Sequence, residues 1–354
     1  MNGQSDFDLP GMVCATPLSD HKQILLGHGS GGKLTADLVR KLFLPAFDNE
    51  YLARLDDQAV FEINGTRIAF TTDAFVVTPL FFPGGDIGKL AVNGTVNDLA
   101  MSGARPLYIA AAFILEEGLE IEELSRIVDS MRQAAIQADV QLVTGDTKVV
   151  DRGKGDKIFI TTTGLGVLER RVAISADRAR PGDKIILSGT IGDHGTAILS
   201  RRENLEFGGA IESDTAALHT LVAAMLKSSD EIHCLRDPTR GGVATTLNEL
   251  ATASSVGLEI HEQAIPIKES VKGACEILGL DPLYVANEGK LLALVAADAA
   301  EKVLRSMRQH PLGRQAQVIG EAVSHHSGMV VLKTTIGGTR VVDVLVSEQL
   351  PRIC

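Results

Sequence analysis

Hydrophobic and polar residues alternate along the chain in patterns that predict mixed helices and strands. Residues 121–138 carry apolar side chains at helical spacing, which predicts an amphipathic helix. Two β-prone runs, 58–63 and 67–72, flank Asn64-Gly65-Thr66, a pattern typical of a hairpin. In the same half of the chain we expect helices at 34–43 and 86–101, and strands at 24–26, 107–115, 140–143 and 158–168.

A second set of elements follows the arginine-rich stretch 170–180, which ends in Pro181-Gly182-Asp183. There we expect helices at 194–200, 214–228, 241–254 and 299–310, and strands at 185–188, 258–261, 291–296, 316–323, 329–333 and 339–344. The pattern predicts an α/β protein with two domains, at 23–169 and 170–345. Residues 1–22 and 346–354 lack such a pattern, and we expect a mobile arm and a flexible tail.

Composition and charge exclude several classes of protein. The chain has 354 residues, 45% of them hydrophobic, with no apolar run long enough to cross a membrane. A formal net charge of -11 repels nucleic acid and anionic membrane surfaces. The four cysteines form no C-x-x-C pair, and no export signal begins the chain. We therefore expect a globular cytoplasmic protein without a disulfide framework, nucleic acid or membrane.

Acidic residues recur where the predicted apolar elements end. They are Asp56-Asp57, Asp73, Asn97-Asp98, Asp146 and Asp237. Any one of them also fits a solvated loop, but the set is typical of carboxylates that gather a divalent cation against polyphosphate. Such a cation lets an acidic protein hold an anionic nucleotide.

The glycine-rich stretch Gly27-His28-Gly29-Ser30-Gly31-Gly32-Lys33 fits three interpretations. It resembles a phosphate-binding loop, but Leu34 stands where that motif has a magnesium-binding Ser or Thr. It also fits a flexible hinge, or a flap whose amides and Lys33 close over a phosphate.

Two further motifs are typical of anion sites. Gly145-Asp146-Thr147-Lys148 follows a predicted strand, at an end where ligands commonly bind, although an exposed turn explains it equally well. Arg236-Asp237-Pro238-Thr239-Arg240-Gly241-Gly242 opens a predicted helix that Asp237 or Thr239 would cap.

Cys354 is the last residue of the chain. A thiol on a flexible tail suits a carrier that swings between sites, and eight extended residues reach about 25 Å at ~3.3 Å each. The neighbouring terminal carboxylate disfavours the thiolate, so a reaction partner would have to activate it.

Together with the terminal Pro351-Arg352-Ile353-Cys354, these motifs resemble the HypE family of hydrogenase maturation proteins over residues 23–354. That family lies in the superfamily of aminoimidazole ribonucleotide synthetase and selenophosphate synthetase. The resemblance implies a two-domain PurM-like fold: an amino-terminal ATP-binding domain whose β-sheet forms a homodimer interface, and a carboxyl-terminal α/β sandwich domain.

The resemblance also implies a reaction. The carbamoyltransferase HypF would load a carbamoyl group onto Cys354, ATP-dependent dehydration would give a thiocyanate, and cyanide would pass to iron on a HypC–HypD complex. Mg²⁺ and phosphate would be held by Asp57, Asp73, Asp98 and Asp237. Further ATP contacts would come from Gly32, Lys33, Asn97, Gly145, Asp146, Thr147, Thr239 and Arg240. Lys148 and Glu288 would orient and deprotonate the thiocarboxamide, although Glu288 also fits a surface turn.

Two other functions stay open on the sequence. One is an ATP-dependent kinase or synthetase for a free small molecule, although the tail would then be idle. The other is a non-enzymatic thiol scaffold that passes a group or metal between maturation proteins.

Overall fold

A computed structural model describes residues 22–169, 172–205, 211–345 and 352–353 of the chain. Its amino-terminal half contains the helices α1 (Lys33–Leu38), α2 (Leu44–Ala46), α3 (Ile87–Met101) and α4 (Ile121–Gln137), with a π-helical turn over Val39–Phe43. The strands there are β1 (Ala59–Ile63), β2 (Thr66–Phe75), β3 (Phe81–Phe82), β4 (Gly85–Asp86), β5 (Arg105–Glu116), β6 (Gln141–Val150) and β7 (Ile158–Val167). Five of them form one sheet in the order β1-β2-β7-β5-β6, and β3 pairs with β4.

The carboxyl-terminal half forms a seven-stranded sheet in the order β14-β13-β10-β12-β8-β11-β9. Its strands are β8 (Lys184–Leu187), β9 (Ile232–Arg236), β10 (Gly257–His261), β11 (Leu292–Val295), β12 (Gln317–Val323), β13 (Val330–Lys333) and β14 (Thr339–Val342). Its helices are α5 (Asp193–Arg202), α6 (His219–Ser228), α7 (Gly242–Ser254), α8 (Glu269–Leu278) and α9 (Ala297–Gln309). The predicted mixture of helices and sheets is thereby confirmed.

Helix α3 joins the two halves. Nearly all of its residues are buried, including the polar Asn93, Thr95 and Asn97. One side packs on β2 and β7, and the other contacts α6 of the carboxyl-terminal half. A helix that is buried all round in this way holds its polar side chains between the two sheets.

The other face of the five-stranded sheet is open. Phe70, Tyr108 and Ile114 are exposed on it, and strand pairing places Leu165 between Phe70 and Tyr108. The register also places Asp146 beside Ala112 and Lys148 beside Ile114 on this same face. The face is therefore an apolar surface bordered by the charged side chains of β6.

Most predicted elements are present, and the differences are local. Strands β3, β4 and β9 and helix α8 were not predicted. In α8, Val271, Ala274 and Cys275 lie at helical spacing and are buried. The strand expected at 24–26 is wrong, because Leu26–Gly29 form a 3₁₀ turn. Residues 214–218 precede α6 instead of belonging to it, and Asp73 lies within β2, which continues to Phe75.

The strand predicted at 140–143 begins one residue later and is much longer than expected. Strand β6 continues to Val150, because its residues pair in parallel with β5 as far as Glu116. Gly145 permits this pairing, since a Cβ there would lie 2.3 Å from the carbonyl oxygen of Ala111.

No helix in the described ranges is long and apolar enough to span a bilayer.

Candidate active site

Carboxyl groups from both halves of the chain converge beside α3. Asp57 precedes β1, Asp73 lies in β2 and Asp98 lies in α3, whereas Asp237 follows β9 and Glu288 precedes β11. All five are buried or partly buried, and their charges act on one another. The group does not come from strand ends alone, since Asp73 lies inside β2 and Asp98 inside α3. It forms where two separate sheets face each other across a buried helix.

The convergence makes negative charge unfavourable. Burial raises the pKa of Asp98 well above its ordinary value, and the charges of Asp237 and Asp73 raise it further. Burial, with the charge of Asp57, does the same to the pKa of Asp237. A bound cation would remove this repulsion and restore the ionised forms.

Two arginines bring positive charge to the cluster. Arg236 Nε donates to Asp57 Oδ1 at 2.8 Å, with both side chains largely buried. Burial raises the pKa of Asp73, but the nearby guanidinium of Arg240 opposes the rise. Arg240 is exposed, so it stands between the cluster and solvent. An anion that approached the carboxyl groups would meet this side chain first.

Glu288 is held in place by its backbone. Its carbonyl accepts from Asn97 Nδ2 at 3.3 Å, and its N–H donates to Asp214 Oδ1 at 3.1 Å. The next residue must be glycine, because a Cβ on Gly289 would lie 1.8 Å from the carbonyl oxygen of Asp214. The loop that carries Glu288 is thereby fixed against residues 214–216.

The carboxyl group of Glu288 is not satisfied by this loop. The side chain is 3% exposed, and no described residue donates to Oε1. Burial raises its pKa well above the ordinary value, as do the charges of Asp237 and Asp73. An unpaired buried carboxyl oxygen is costly, and it marks a place where a ligand, proton or cation belongs.

Asn97 has a different environment from the one expected for a nucleotide contact. Its Nδ2 also donates to the carbonyl of Ala216 at 3.1 Å, and its Oδ1 accepts from the N–H of Leu218 at 2.8 Å. The buried amide is therefore bonded to backbone groups across the domain boundary. These bonds support a role in holding Glu288, which the sequence did not suggest.

Asp214 and Lys290 also belong to the site, and sequence reasoning did not assign either of them. Burial alone would raise the pKa of Asp214, but Lys290 Nζ, at 2.9 Å from Oδ2, helps to lower it overall. Asp214 had no sequence signal, because it falls at the start of a segment expected to be helical.

The glycine-rich stretch packs against the same region. Gly31 has φ +77°, and a Cβ there would lie 3.0 Å from Arg240 Cβ. Arg240 donates to the carbonyl of Gly29 at 3.0 Å, while Lys33 Nζ forms an ion pair of 2.7 Å with Asp343. Gly32 lies against the Leu345 carbonyl, which a Cβ would approach to 2.5 Å. Without a preceding strand, the segment does not form the strand–loop–helix of a phosphate-binding loop.

Helix α7 is not capped as predicted. It begins at Gly242 after Gly241, whose φ is +76°, and no side chain caps it. Thr239 instead accepts the N–H of Gly242 through its backbone carbonyl at 2.9 Å. Asp237 is therefore not engaged as a helix cap.

The structure does not bring Asp146, Thr147 and Lys148 to the cluster of the same chain. Strand β6 lies at the edge of the sheet, three strands away from β2, or about 14 Å at ~4.8 Å per strand. Asp146 and Lys148 point to the open face, where they pair with each other at 2.6 Å. Gly145, Asp146 and Thr147 were predicted to contact ATP, and Lys148 to orient the thiocarboxamide. The position of β6 separates them from the carboxyl cluster of their own chain, and their roles stay predictions.

The cysteines divide into two groups. Cys234 and Cys275 are buried, and burial raises the pKa of Cys234 to about 12. Cys14 and Cys354 lie outside the described residues, so the predicted role of Cys354 as a carrier stays a prediction. The two residues before Cys354 are described, and Ile353 is 8% exposed within the core cluster that includes Phe82 and Ile198.

The donor set of the cluster fits a hard divalent cation. Carboxylate oxygens are the ligands that Mg²⁺ prefers, and Asp73, Asp98 and Asp237 offer them without a full complement of positive partners. Cysteine and histidine ligands, which favour zinc, are not among these groups. The residues present therefore supply the ligand type of Mg²⁺, with phosphate oxygens to complete the site, although Asp73, Asp98 and Asp237 do not bring three ligand oxygens within 4.8 Å of one another.

Two family models and a relative of high identity match most of the chain. The AIR synthase related protein, N-terminal domain, matches residues 55–168, and the C-terminal domain of the same family matches residues 180–333. Carbamoyl dehydratase HypE of Azotobacter vinelandii is 58% identical over 327 residues, which cover 92% of this chain and 96% of that protein.

Solved structures show the same fold. One of a HypE-HypF complex superposes with a TM-score of 0.83 at 50% identity, covering 87% of this chain and 99% of that one. One of HypE in complex with ATP has a TM-score of 0.80 at 50% identity, covering 94% and 100%. Two matching family domains and relatives of this identity and coverage show that the chain belongs to the HypE family of hydrogenase maturation proteins, within the AIR synthase related proteins.

Proposed function

We propose that the chain is an ATP-dependent dehydratase that acts on a carbamoyl group carried by its own Cys354. The thiocarboxamide oxygen takes the γ-phosphoryl group of ATP, both nitrogen protons are lost, and phosphate leaves as the C≡N bond forms. The products are Cys354 thiocyanate, ADP and phosphate, so the oxygen of the amide leaves with phosphate. The thiocyanate would supply cyanide for the active site of a [NiFe] hydrogenase.

The observation that carries this proposal is the buried carboxyl cluster with its unpaired Glu288 oxygen. Phosphoryl transfer needs charge stabilisation and exclusion of water more than it needs covalent help. Asp73, Asp98 and Asp237 would hold Mg²⁺, which when bound neutralises phosphate charge. Arg240 would contact the phosphates from the solvent side, and Asp57 would keep Arg236 beside them.

Glu288 is the proposed base. Burial is the largest cause of its raised pKa and does not depend on the charges that a bound cation would neutralise, so the ionised carboxylate is a stronger proton acceptor than an ordinary one. Its Oε1 has no donor among the described side chains and backbone groups. Asn97 and Asp214 fix its backbone, so the carboxyl group stays aimed without moving the loop. In this fixed position, Glu288 would take a proton from the thiocarboxamide nitrogen.

We also propose that the protein is a homodimer that pairs through the open face of the five-stranded sheet. Phe70, Tyr108 and Ile114 would be covered there, since exposed apolar side chains grouped on one face of a sheet favour an interface. Lys148 lies on that face and away from its own cluster, so it would orient the substrate at the partner's site.

Two protein partners follow from the family. A structure of a HypE-HypF complex supports HypF as the protein that loads Cys354. The HypC–HypD complex is proposed as the acceptor of cyanide on the resemblance alone.

The test is the intact mass of the protein mixed with HypF, carbamoyl phosphate and ATP. We expect a carbamoyl-sized gain on Cys354, followed in the presence of Mg·ATP by the loss of one water. The Cys354→Ala variant should keep ATP binding and show neither change. Carbamoylation that never loses water would refute the dehydratase.

The same assay separates the two other functions. A thiol scaffold would still form thiocyanate when Asp57→Ala and Asp98→Ala are combined, whereas the dehydratase would not. A kinase for a free small molecule would hydrolyse ATP at the same rate with and without the Cys354 thiol.

A further inference from the structure

The last described residues, Arg352 and Ile353, are held by hydrogen bonds and an ion pair from other parts of the chain. The carbonyl of Ile353 accepts from His194 Nε2 at 2.9 Å. The carbonyl of Arg352 accepts from Arg202 at 2.8 Å and from the N–H of Thr78 at 3.2 Å. The Arg352 guanidinium pairs with Asp156 at 2.9 Å. The backbone carbonyls of Arg352 and Ile353 are therefore both hydrogen-bonded.

His194 is fixed in one tautomer by its two partners. A carbonyl oxygen only accepts, so Nε2 of His194 carries the proton that it donates to Ile353. Nδ1 then accepts from the Ser213 hydroxyl at 2.7 Å. Burial lowers the pKa of His194, while nearby Asp214 and the bond to Ile353 oppose the change. The ring also contacts Phe82 edge-on, with centroids 5.5 Å apart.

Ser213 connects this contact to the proposed base. Its hydroxyl also accepts from the N–H of Thr215 at 3.2 Å, and its own N–H donates to the carbonyl of Pro83 at 2.8 Å. The next residue, Asp214, accepts from the N–H of Glu288. One short segment, 213–215, thus contacts on one side His194, which binds Ile353, and on the other side Glu288.

We propose that His194 and Arg202 are positioning residues that hold the carboxyl-terminal segment in one register relative to Glu288. His194 fixes the Ile353 carbonyl, and Arg202 fixes the Arg352 carbonyl while its Nε also donates to the Thr78 carbonyl at 3.0 Å. The presentation of a thiocarboxamide on Cys354 rests on the proposed function. The docking of residues 352–353 is independent of that function, and the test measures docking and dehydration separately.

The docking is measured with trypsin on the full chain. Trypsin cleaves after Arg352, and it needs an extended, released segment, so the initial rate of loss of the last two residues reports the undocked fraction. His194→Leu removes the donor, and we expect that rate to rise about tenfold, the usual effect of one buried hydrogen bond. His194→Gln offers an amide N–H at the same distance along the side chain, and it should restore most of the protection.

His219→Leu is the control, because it removes a different imidazole, one that is only partly buried and has no contact with residues 352–353 among those described. It should leave the cleavage rate unchanged. Unfolding temperatures of all three variants show whether the fold persists. A cleavage rate in His194→Leu equal to that of the unchanged protein, or no protection by His194→Gln in a folded protein, would overturn the proposal.

The effect on dehydration is then measured on protein whose Cys354 has been carbamoylated by HypF. In His194→Leu we expect carbamoylation of Cys354 to persist, dehydration to slow about tenfold, and the Kd for ATP to stay the same. If the unchanged protein never dehydrates the group, the proposed function fails while the trypsin result still decides the docking. A variant that undocks the segment but dehydrates at full rate would refute the positioning role.

Discussion

The placement of Lys148 leads to a prediction about how two copies share a site. Asp98 lies on the buried side of the five-stranded sheet, whereas Lys148 lies on its open face at the far edge strand. Three strand spacings of ~4.8 Å, or about 14 Å, separate β6 from β2 along the sheet. A lysine side chain spans less than that distance, and the sheet stands between them. If Lys148 acts in dehydration, it acts on the cluster of the partner copy.

To test this sharing, Lys148 is removed from one chain of the dimer and Asp98 from the other. In a heterodimer of one Lys148→Ala chain with one Asp98→Asn chain, one site loses both groups and the other keeps both. The purified heterodimer should therefore show about half the rate of the unchanged dimer, and a random mixture about a quarter. Each variant homodimer should be close to inactive.

The matched control places both changes on one chain and pairs it with an unchanged chain. Sharing across the dimer then leaves each site with one defect, so the activity should be close to zero. Sites built within one chain reverse both results, giving no activity in the first heterodimer and about half in the control. The assay is conversion of carbamoylated Cys354 to thiocyanate by intact mass, on heterodimers isolated with two affinity tags. That reversed outcome would refute the shared site.

Three further changes test other parts of the site. Asp98→Asn should raise the unfolding temperature of the ligand-free protein, because burial and neighbouring carboxyl groups disfavour the charge of Asp98. The same change should abolish the stabilisation by Mg·ATP. A lower unfolding temperature of the ligand-free variant would contradict the charge repulsion. Gly289→Ala should destabilise the protein by about 1–3 kcal/mol in chemical denaturation and slow dehydration, since its Cβ would lie 1.8 Å from the Asp214 carbonyl; a neutral effect would show that the loop can move. With its pKa raised to about 12, Cys234 holds on the order of 10⁻⁴ thiolate at pH 8, so peptide mapping should find it unalkylated by iodoacetamide until the protein is unfolded; rapid labelling would show that it is accessible.

Periodicity predicted most of the fold because most elements bury one regular face. Helix α4 is an example, with Ile127 and Met131 buried one turn apart. Strand β9 was not predicted because its sequence, Ile232 to Arg236, mixes His, Cys and Arg with apolar residues. All of these residues but Arg236 are buried. Burial there is decided by the neighbouring strand β11, which no local pattern reveals.

The members of the carboxyl cluster could be chosen from the sequence, but their arrangement could not. Asp57, Asp73, Asp98 and Asp237 were expected together, and the structure brings them together. Asp146 looked equivalent because it also follows a β-prone run, yet it lies on the opposite face of the sheet. Whether a strand continues through a Gly-Asp-Thr-Lys motif depends on pairing with β5, and that pairing is not visible in the motif itself.

The cluster also explains how ligand binding and the relation between the two halves are connected. Asp73 and Asp98 belong to the first half, and Asp237 and Glu288 belong to the second, so their repulsion acts across the boundary. Arg236 opposes it by reaching from β9 to Asp57, and Asn97 bonds to the loop of Glu288 from α3. A cation bound among these groups would add attraction at the same boundary, and by linkage it would stabilise the arrangement that forms the site.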